Sequence, residues 1–66
     1  MEGPDAGAEL RRNALRVVSN IASSSSANKG AVVAAGWPAV LAAALGDSCA
    51  LVRESAVWAI INLTWR

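Results

Sequence analysis

The sequence predicts an all-α fold. Apolar residues recur at steps of three and four along two long segments, which is the period of one helix face. No segment alternates between apolar and polar residues over the length of a strand. Glycine, proline and serine residues stand where helical segments would begin or end. With 66 residues, the chain is long enough for one small domain.

Residues 1–7, which contain acidic residues and glycine, are interpreted as a flexible leader. The first helix is predicted over residues 8–23. Its apolar stripe, which we expect to face the core, consists of Leu10, Ala14, Val17, Val18 and Ile21. The four serines at 23–26 are expected to end this helix, because short hydroxyl side chains compete for backbone hydrogen bonds.

Three further helices are predicted, over about residues 27–35, 38–45 and 48–65. Gly36 is placed to end the second helix, and Pro38 suits the first position of the third, where its missing N–H does no harm. Gly46 ends the third helix, and Asp47 or Ser48 is expected to cap the fourth. The apolar face of the fourth helix is predicted to consist of Val52, Ala56, Ala59, Ile60 and Leu63.

The first and last helices are related by an internal repeat. A shift of 42 residues places residues 10–22 on residues 52–64 without a gap. The pairs Arg11/Arg53, Ala14/Ala56 and Asn20/Asn62 are identical, and Leu10/Val52, Leu15/Val57, Val18/Ile60 and Ile21/Leu63 are both aliphatic. Any two amphipathic helices can be aligned somewhere, but this many matches in one ungapped stretch favour a true repeat. A period of about 40 to 47 residues with three helices per unit is typical of an α-solenoid.

The second unit resembles the armadillo repeat family. The resemblance is carried by Asn28, Val32, Val33, Ala35-Gly36, Pro38 and Leu41, followed by Val52-Arg-Glu-Ser-Ala-Val-Trp-Ala-Ile-Ile-Asn-Leu63. It covers residues 8–66 and implies an α-solenoid fragment of armadillo type: the last helix of one repeat (8–23) and one complete repeat (24–66). One departure is that a single residue, Trp37, stands between Gly36 and Pro38, where the family has two. The last helix is also similar to that of an armadillo scaffold subunit of a ubiquitin ligase complex.

The composition argues against several classes of function. The chain has no histidine, which excludes His-based catalytic triads and His metal sites. Its one cysteine, Cys49, cannot form an internal disulfide and is interpreted as a small core thiol. Nothing pairs carboxylates for acid–base chemistry, and there is no phosphate-binding loop. We therefore expect no enzymatic activity, no catalytic residue, no metal and no cofactor.

Charge and hydropathy bear on partners and location. Charged residues make up 17% of the chain and the net charge is +1, which gives no electrostatic support for nucleic-acid binding. The longest uncharged stretch, residues 30–46, is interrupted by glycine and proline, so no membrane span or membrane partner is predicted. The N-terminal residues do not fit a secretory signal. We expect an intracellular protein of the cytoplasm, the nucleus or both.

The candidate site is a second stripe on the fourth helix, distinct from its apolar face: Glu54, Trp58, Asn62 and Trp65. The equivalent positions of the first helix are Arg12, Arg16, Asn20 and Ser23. If the two helices stack, these stripes lie side by side. A carboxamide can donate to and accept from a peptide backbone at once, and an indole offers apolar area and a cation–π surface.

The resemblance implies the same site. In armadillo proteins such as the nuclear-import adaptors, a concave groove holds an extended peptide. In those proteins the asparagines at the positions of Asn20 and Asn62 bind the peptide backbone. The tryptophan at the position of Trp58 stacks on the aliphatic parts of the peptide's side chains. At Arg16 the family often has tryptophan. We therefore expect a protein-binding scaffold or adaptor, with Arg12, Arg16 and Glu54 tuning the charge of the groove.

A structural role remains open beside this hypothesis. In that case Trp58 and Trp65 pack against a following repeat, and Asn62 caps local backbone. The chain would then complete a longer solenoid or associate with a copy of itself, with no ligand of its own. No polar capping helix or helix stop signal follows Trp65, which we interpret as a sign of truncation.

Overall fold

The computed structural model describes residues 7–65, and this range contains four α-helices. They are α1 (Ala8–Ser24), α2 (Ser26–Ala34), α3 (Trp37–Ala44) and α4 (Ala50–Thr64). The predicted all-α class is confirmed, and the described residues contain no strand. Every predicted helix boundary lies within two residues of the observed one. The first six residues of the predicted leader, and residue 66, lie outside the described range.

The serine run ends α1 and starts α2, as predicted. Ser25 has an extended backbone (φ −165°, ψ 160°), and its hydroxyl accepts a hydrogen bond from the backbone N–H of Asn28 at 3.0 Å. Ser23 and Ser24 donate their hydroxyls to carbonyl oxygens one turn earlier, at 2.9 and 2.8 Å. Serine therefore supplies both the end of one helix and the N-cap of the next.

The turn between α2 and α3 depends on Gly36. Its φ of 90° is in the left-handed region, and its N–H donates to the carbonyl of Val33 at 3.0 Å, as expected of a glycine that ends a helix. The prediction that Pro38 is the first residue of α3 is wrong. Because α3 begins at Trp37, Pro38 is its second residue. The position is still harmless for proline, since the first-turn N–H groups have no partner within the helix.

The predicted caps of α4 are wrong. The helix begins at Ala50, its N-cap is Cys49, and no side chain caps it. The Asp47 carboxylate instead accepts from the Cys49 N–H at 2.9 Å and from two nitrogens of Arg11 at 2.8 and 3.0 Å. These bonds, that of Arg11 first, lower the pKa of Asp47 below its ordinary value of 3.8. Asp47 thus joins α1 to the turn before α4.

The core lies mainly between α1 and α4, which form the most extensive helix–helix interface of the described chain. The two helices run parallel, because Arg11 meets Asp47 near their N-terminal ends and Ser19 meets Asn62 towards their C-terminal ends. One cluster of buried residues comprises Leu15, Leu41, Val52, Ala56 and Ala59. A second comprises Val18, Ala22 and Val32. Trp37 and Leu63 pack against both clusters, so they join α2 and α3 to the α1–α4 pair.

The apolar face is confirmed for α4 and wrong for α1. On α4, Val52, Ala56 and Ala59 are buried, and Ile60 and Leu63 are half-buried. On α1 the buried residues are Leu15, Val18, Ser19 and Ala22, so only Val18 of the predicted stripe is buried. Leu10, Val17 and Ile21 are 75%, 55% and 43% exposed. Since α1 carries apolar residues on two faces, periodicity alone does not select the one that meets α4.

Candidate binding groove

A groove of about 340 Å³ runs along the outer edge of the α1–α4 interface. We call it the α1–α4 groove. Eight residues line it, four from each helix: Arg12, Arg16, Ser19 and Asn20 from α1, and Glu54, Ser55, Trp58 and Asn62 from α4. Six of the seven residues predicted to form the site are therefore brought together.

The helical repeat explains why these side chains share one groove. On each helix three of the four lining residues recur at steps of four (12, 16 and 20 on α1; 54, 58 and 62 on α4), so they form one row along the axis. Ser19 and Ser55, which are 7% and 9% exposed, lie between the two rows and form the floor. Their small side chains let the two helices approach closely, so the longer side chains form the walls.

Asn62 already uses its amide nitrogen inside the protein. Its Nδ2 donates to the Ser19 hydroxyl at 2.5 Å and to the Ser19 carbonyl at 3.4 Å, although the two residues are 43 positions apart. Asn62 therefore fastens α4 to α1 and does not cap local backbone. Its Oδ1 accepts no hydrogen bond among the described residues, so it offers a ligand an acceptor but no donor.

Asn20, unlike Asn62, does not use its side-chain amide inside the protein. Its side chain is exposed and makes no hydrogen bond with any other residue of the described range, so its amide can donate and accept at once. Of the two asparagines that the repeat places in equivalent positions, Asn20 is thus the one whose carboxamide is wholly available to a peptide backbone.

The charged residues of the groove differ between its walls. The α1 wall carries the guanidinium groups of Arg12 and Arg16, and the α4 wall carries the carboxylate of Glu54. None of the three makes an ion pair or a hydrogen bond to another side chain within residues 7–65. Each group is therefore available to bind an opposite charge without first breaking a bond inside the protein.

Trp58 supplies the apolar surface of the groove. It is 57% exposed, although burying an indole is strongly favourable, and it stands between the polar groups of the α4 wall. The fold itself makes little use of this side chain. An exposed indole among unpaired polar groups is the composition expected where another chain binds.

Trp65 is placed differently from the prediction. Because α4 ends at Thr64, Trp65 follows the helix with an extended backbone and does not continue the stripe. It is 74% exposed, and its carbonyl accepts a hydrogen bond from the Lys29 ammonium group. It lines a separate cavity of about 200 Å³ at the end of α4, which shares Asn62 with the α1–α4 groove.

Sequence reasoning did not find Ser19. It lies between Val18 and Asn20 without any motif, and only the docking of α4 gives it a role. The groove offers guanidinium, carboxylate, carboxamide, hydroxyl and indole groups, which bind by hydrogen bonding, charge pairing and stacking. Within residues 7–65 there is no group of three or more residues that could hold a metal ion.

Of the four helices within this range, none combines the length and hydropathy needed to cross a membrane. Comparison with protein-family models, with curated proteins and with solved structures found no match to this chain.

Proposed function

We propose that this chain is a segment of an armadillo-type α-solenoid and that its α1–α4 groove binds an extended peptide of a partner protein. The observation that carries the proposal is the convergence of the two stripes. Residues 42 positions apart in sequence line one groove, and their polar groups are unpaired apart from the amide nitrogen of Asn62. The role is that of a scaffold or adaptor without enzymatic activity.

The chemistry of the groove favours a peptide over a compact small molecule. Small-molecule sites are concave and mostly apolar, whereas seven of the eight lining residues here are polar or charged. An extended peptide exposes an N–H and a C=O at every residue, and these match the amide of Asn20 and the Oδ1 of Asn62. Between these two asparagines, the indole of Trp58 stacks on the aliphatic part of a peptide side chain.

The charges indicate a peptide that carries both signs. Arg12 and Arg16 bind an acidic side chain at the α1 wall, since guanidinium groups form strong charge-assisted hydrogen bonds with carboxylates. Glu54 and Trp58 together favour a basic side chain at the α4 wall, through charge pairing and cation–π contact. A peptide with an acidic and a basic residue near each other fits both walls.

The test measures fluorescence anisotropy of labelled synthetic peptides with the full chain. The parent peptide contains aspartate and lysine, and two others replace the aspartate by asparagine or the lysine by glutamine. We expect the parent to bind best. Trp58→Ala is expected to weaken its binding roughly tenfold or more, because a central indole is a typical hot spot.

The matched control uses the two exposed asparagines of α1. Asn20→Ala should weaken binding, whereas Asn13→Ala, the same change outside the groove, should not. Asn62→Ala is a less suitable variant because it also removes the bonds to Ser19. Equal binding by the wild-type chain, Trp58→Ala and Asn20→Ala would refute the groove proposal.

A further inference from the structure

Two apolar surfaces of the described chain face away from the core. The outer face of α1 consists of Leu10, Ala14, Val17 and Ile21, all exposed. The outer face of α4 consists of Val57, Ile61 and Thr64, all exposed, and it borders on Ile60, which is half-buried against the core cluster. The outer face of α1 contains no charged residue, whereas Arg53 lies one turn before Val57 on the same side of α4. They lie on opposite sides of the α1–α4 pair. The outer face of α1 points away from α4, and the outer face of α4 points away from α1.

The 42-residue repeat relates these outer faces to the two surfaces that pack together inside the chain. The outer face of α1 corresponds to the buried face of α4, with the pairs Leu10/Val52, Ala14/Ala56, Val17/Ala59 and Ile21/Leu63. The outer face of α4, together with Ile60 at its border, corresponds to the buried face of α1, with the pairs Leu15/Val57, Val18/Ile60, Ser19/Ile61 and Ala22/Thr64. The two exposed faces are thus the repeat equivalents of an interface that the chain already forms.

We propose that the chain associates head-to-tail, the outer face of α1 in one copy packing on the outer face of α4 in a second copy. The contact repeats the internal α1–α4 interface with the two helices again parallel. Because the paired surfaces differ, the interface is heterologous, and each added copy leaves one face of each kind exposed for further growth. The occupant of each face is therefore a second copy of this chain.

Charge at the junction supports the same arrangement. In this packing Glu54 of one copy lies beside Arg12 of the next, as Glu54 and Arg12 already share the walls of one groove within a copy. Within a copy these two groups form no ion pair, so they add only a weak attraction across the interface. The groove residues lie on neither outer face, so association does not cover them. The grooves of successive copies then form one continuous open groove along the stack. The assembly does not depend on whether the groove binds a peptide.

The experiment is sedimentation velocity on the full chain over a wide range of concentrations. The wild-type chain should form species that grow beyond two copies of its 6.8 kDa mass. Val17→Glu and Ile61→Glu each disable one face, so each variant alone should remain a monomer. Their equimolar mixture should form a dimer and nothing larger, because each variant still carries the face that the other lacks.

Val33→Glu is the matched control. Val33 is an exposed valine on α2 that belongs to neither outer face, and its variant should assemble like the wild type. Circular dichroism of each variant checks that its helices are retained. If Val17→Glu fails to fold, Leu10→Glu tests the same face at a residue that is 75% exposed.

Two results would overturn the proposal. A wild-type chain that stays monomeric at every concentration shows that the outer faces do not bind each other. Dimers of Ile61→Glu that match wild-type dimers, with Val17→Glu monomeric and no gain on mixing, show that two α1 faces pair symmetrically. Rescue by mixing is the result that only the head-to-tail contact gives.

Discussion

Replacing Leu15 by alanine tests which face of α1 belongs to the core. Leu15 is 3% exposed and packs in the cluster with Leu41 and Val52. The change removes three buried carbons, which is about 2.4 kcal/mol of transfer free energy at 0.8 kcal/mol for each, before any cavity cost. A 66-residue domain has a total stability of about 3 to 10 kcal/mol, so the loss is a large share of it.

Leu10→Ala is the matched control, because it is the same chemical change on the same helix at a residue that is 75% exposed. Thermal unfolding followed by circular dichroism should show a fall in Tm of roughly 10 to 20 °C for Leu15→Ala and almost none for Leu10→Ala. The melts are run at a concentration low enough for the chain to be monomeric, since the proposed assembly buries Leu10. A larger loss for Leu10→Ala than for Leu15→Ala would mean that α1 buries the stripe favoured by its sequence pattern.

Two further predictions concern a glycine and a carboxylate. Gly36→Ala should destabilise the fold by about 1 to 2 kcal/mol, because φ is 90° there. Gly30→Ala should stabilise the fold by about 0.5 to 1 kcal/mol, because Gly30 lies within α2 and the added Cβ would have nothing within 4 Å. Urea unfolding of both variants checks the pair, and equal effects would contradict the left-handed turn at Gly36. Because the pKa of folded Asp47 lies below 3.8, its ionised form stabilises the fold at and above that pH, and this contribution disappears as pH falls through the lower folded value. Asp47→Asn should therefore lower Tm at about pH 7 and flatten the loss of Tm as pH falls below about 4, and an unchanged pH profile would show that the Arg11–Asp47 pair does not stabilise the fold.

The sequence was sufficient to predict that four helices form and where the first three meet, because those limits depend on local chemistry. Ser25 and Gly36 act through the backbone of their own neighbours, so their roles can be read from residue type and position. The fourth helix could also be oriented, since its small and branched residues share one face. The same reasoning was wrong for α1, where Leu15 and Leu10 point to different faces and only the partner helix decides between them.

The groove was predictable as a set of positions, and its detailed chemistry was not. Equal spacing on two repeated helices was enough to bring Arg16 and Trp58 together. The bond from Asn62 to Ser19, by contrast, joins residues 43 positions apart and arises only from how the helices dock. The prediction that Trp65 belongs to the stripe of α4 is wrong, because nothing in the sequence marks the end of α4 at Thr64. That these residues bind a partner peptide stays a prediction.

The parallel pairing of α1 with α4 also determines how the chain folds. Arg11 meets Asp47 across 36 positions, so most of the core forms only after a long segment has closed. Closure entropy grows slowly with length, at about 0.6 kcal/mol for each doubling, while early formation of α2 and α3 shortens the segment that remains to be closed. We therefore expect the docking of α1 on α4 to be the slow step of folding. A few residues inserted in the turn around Gly46 would change its rate only slightly.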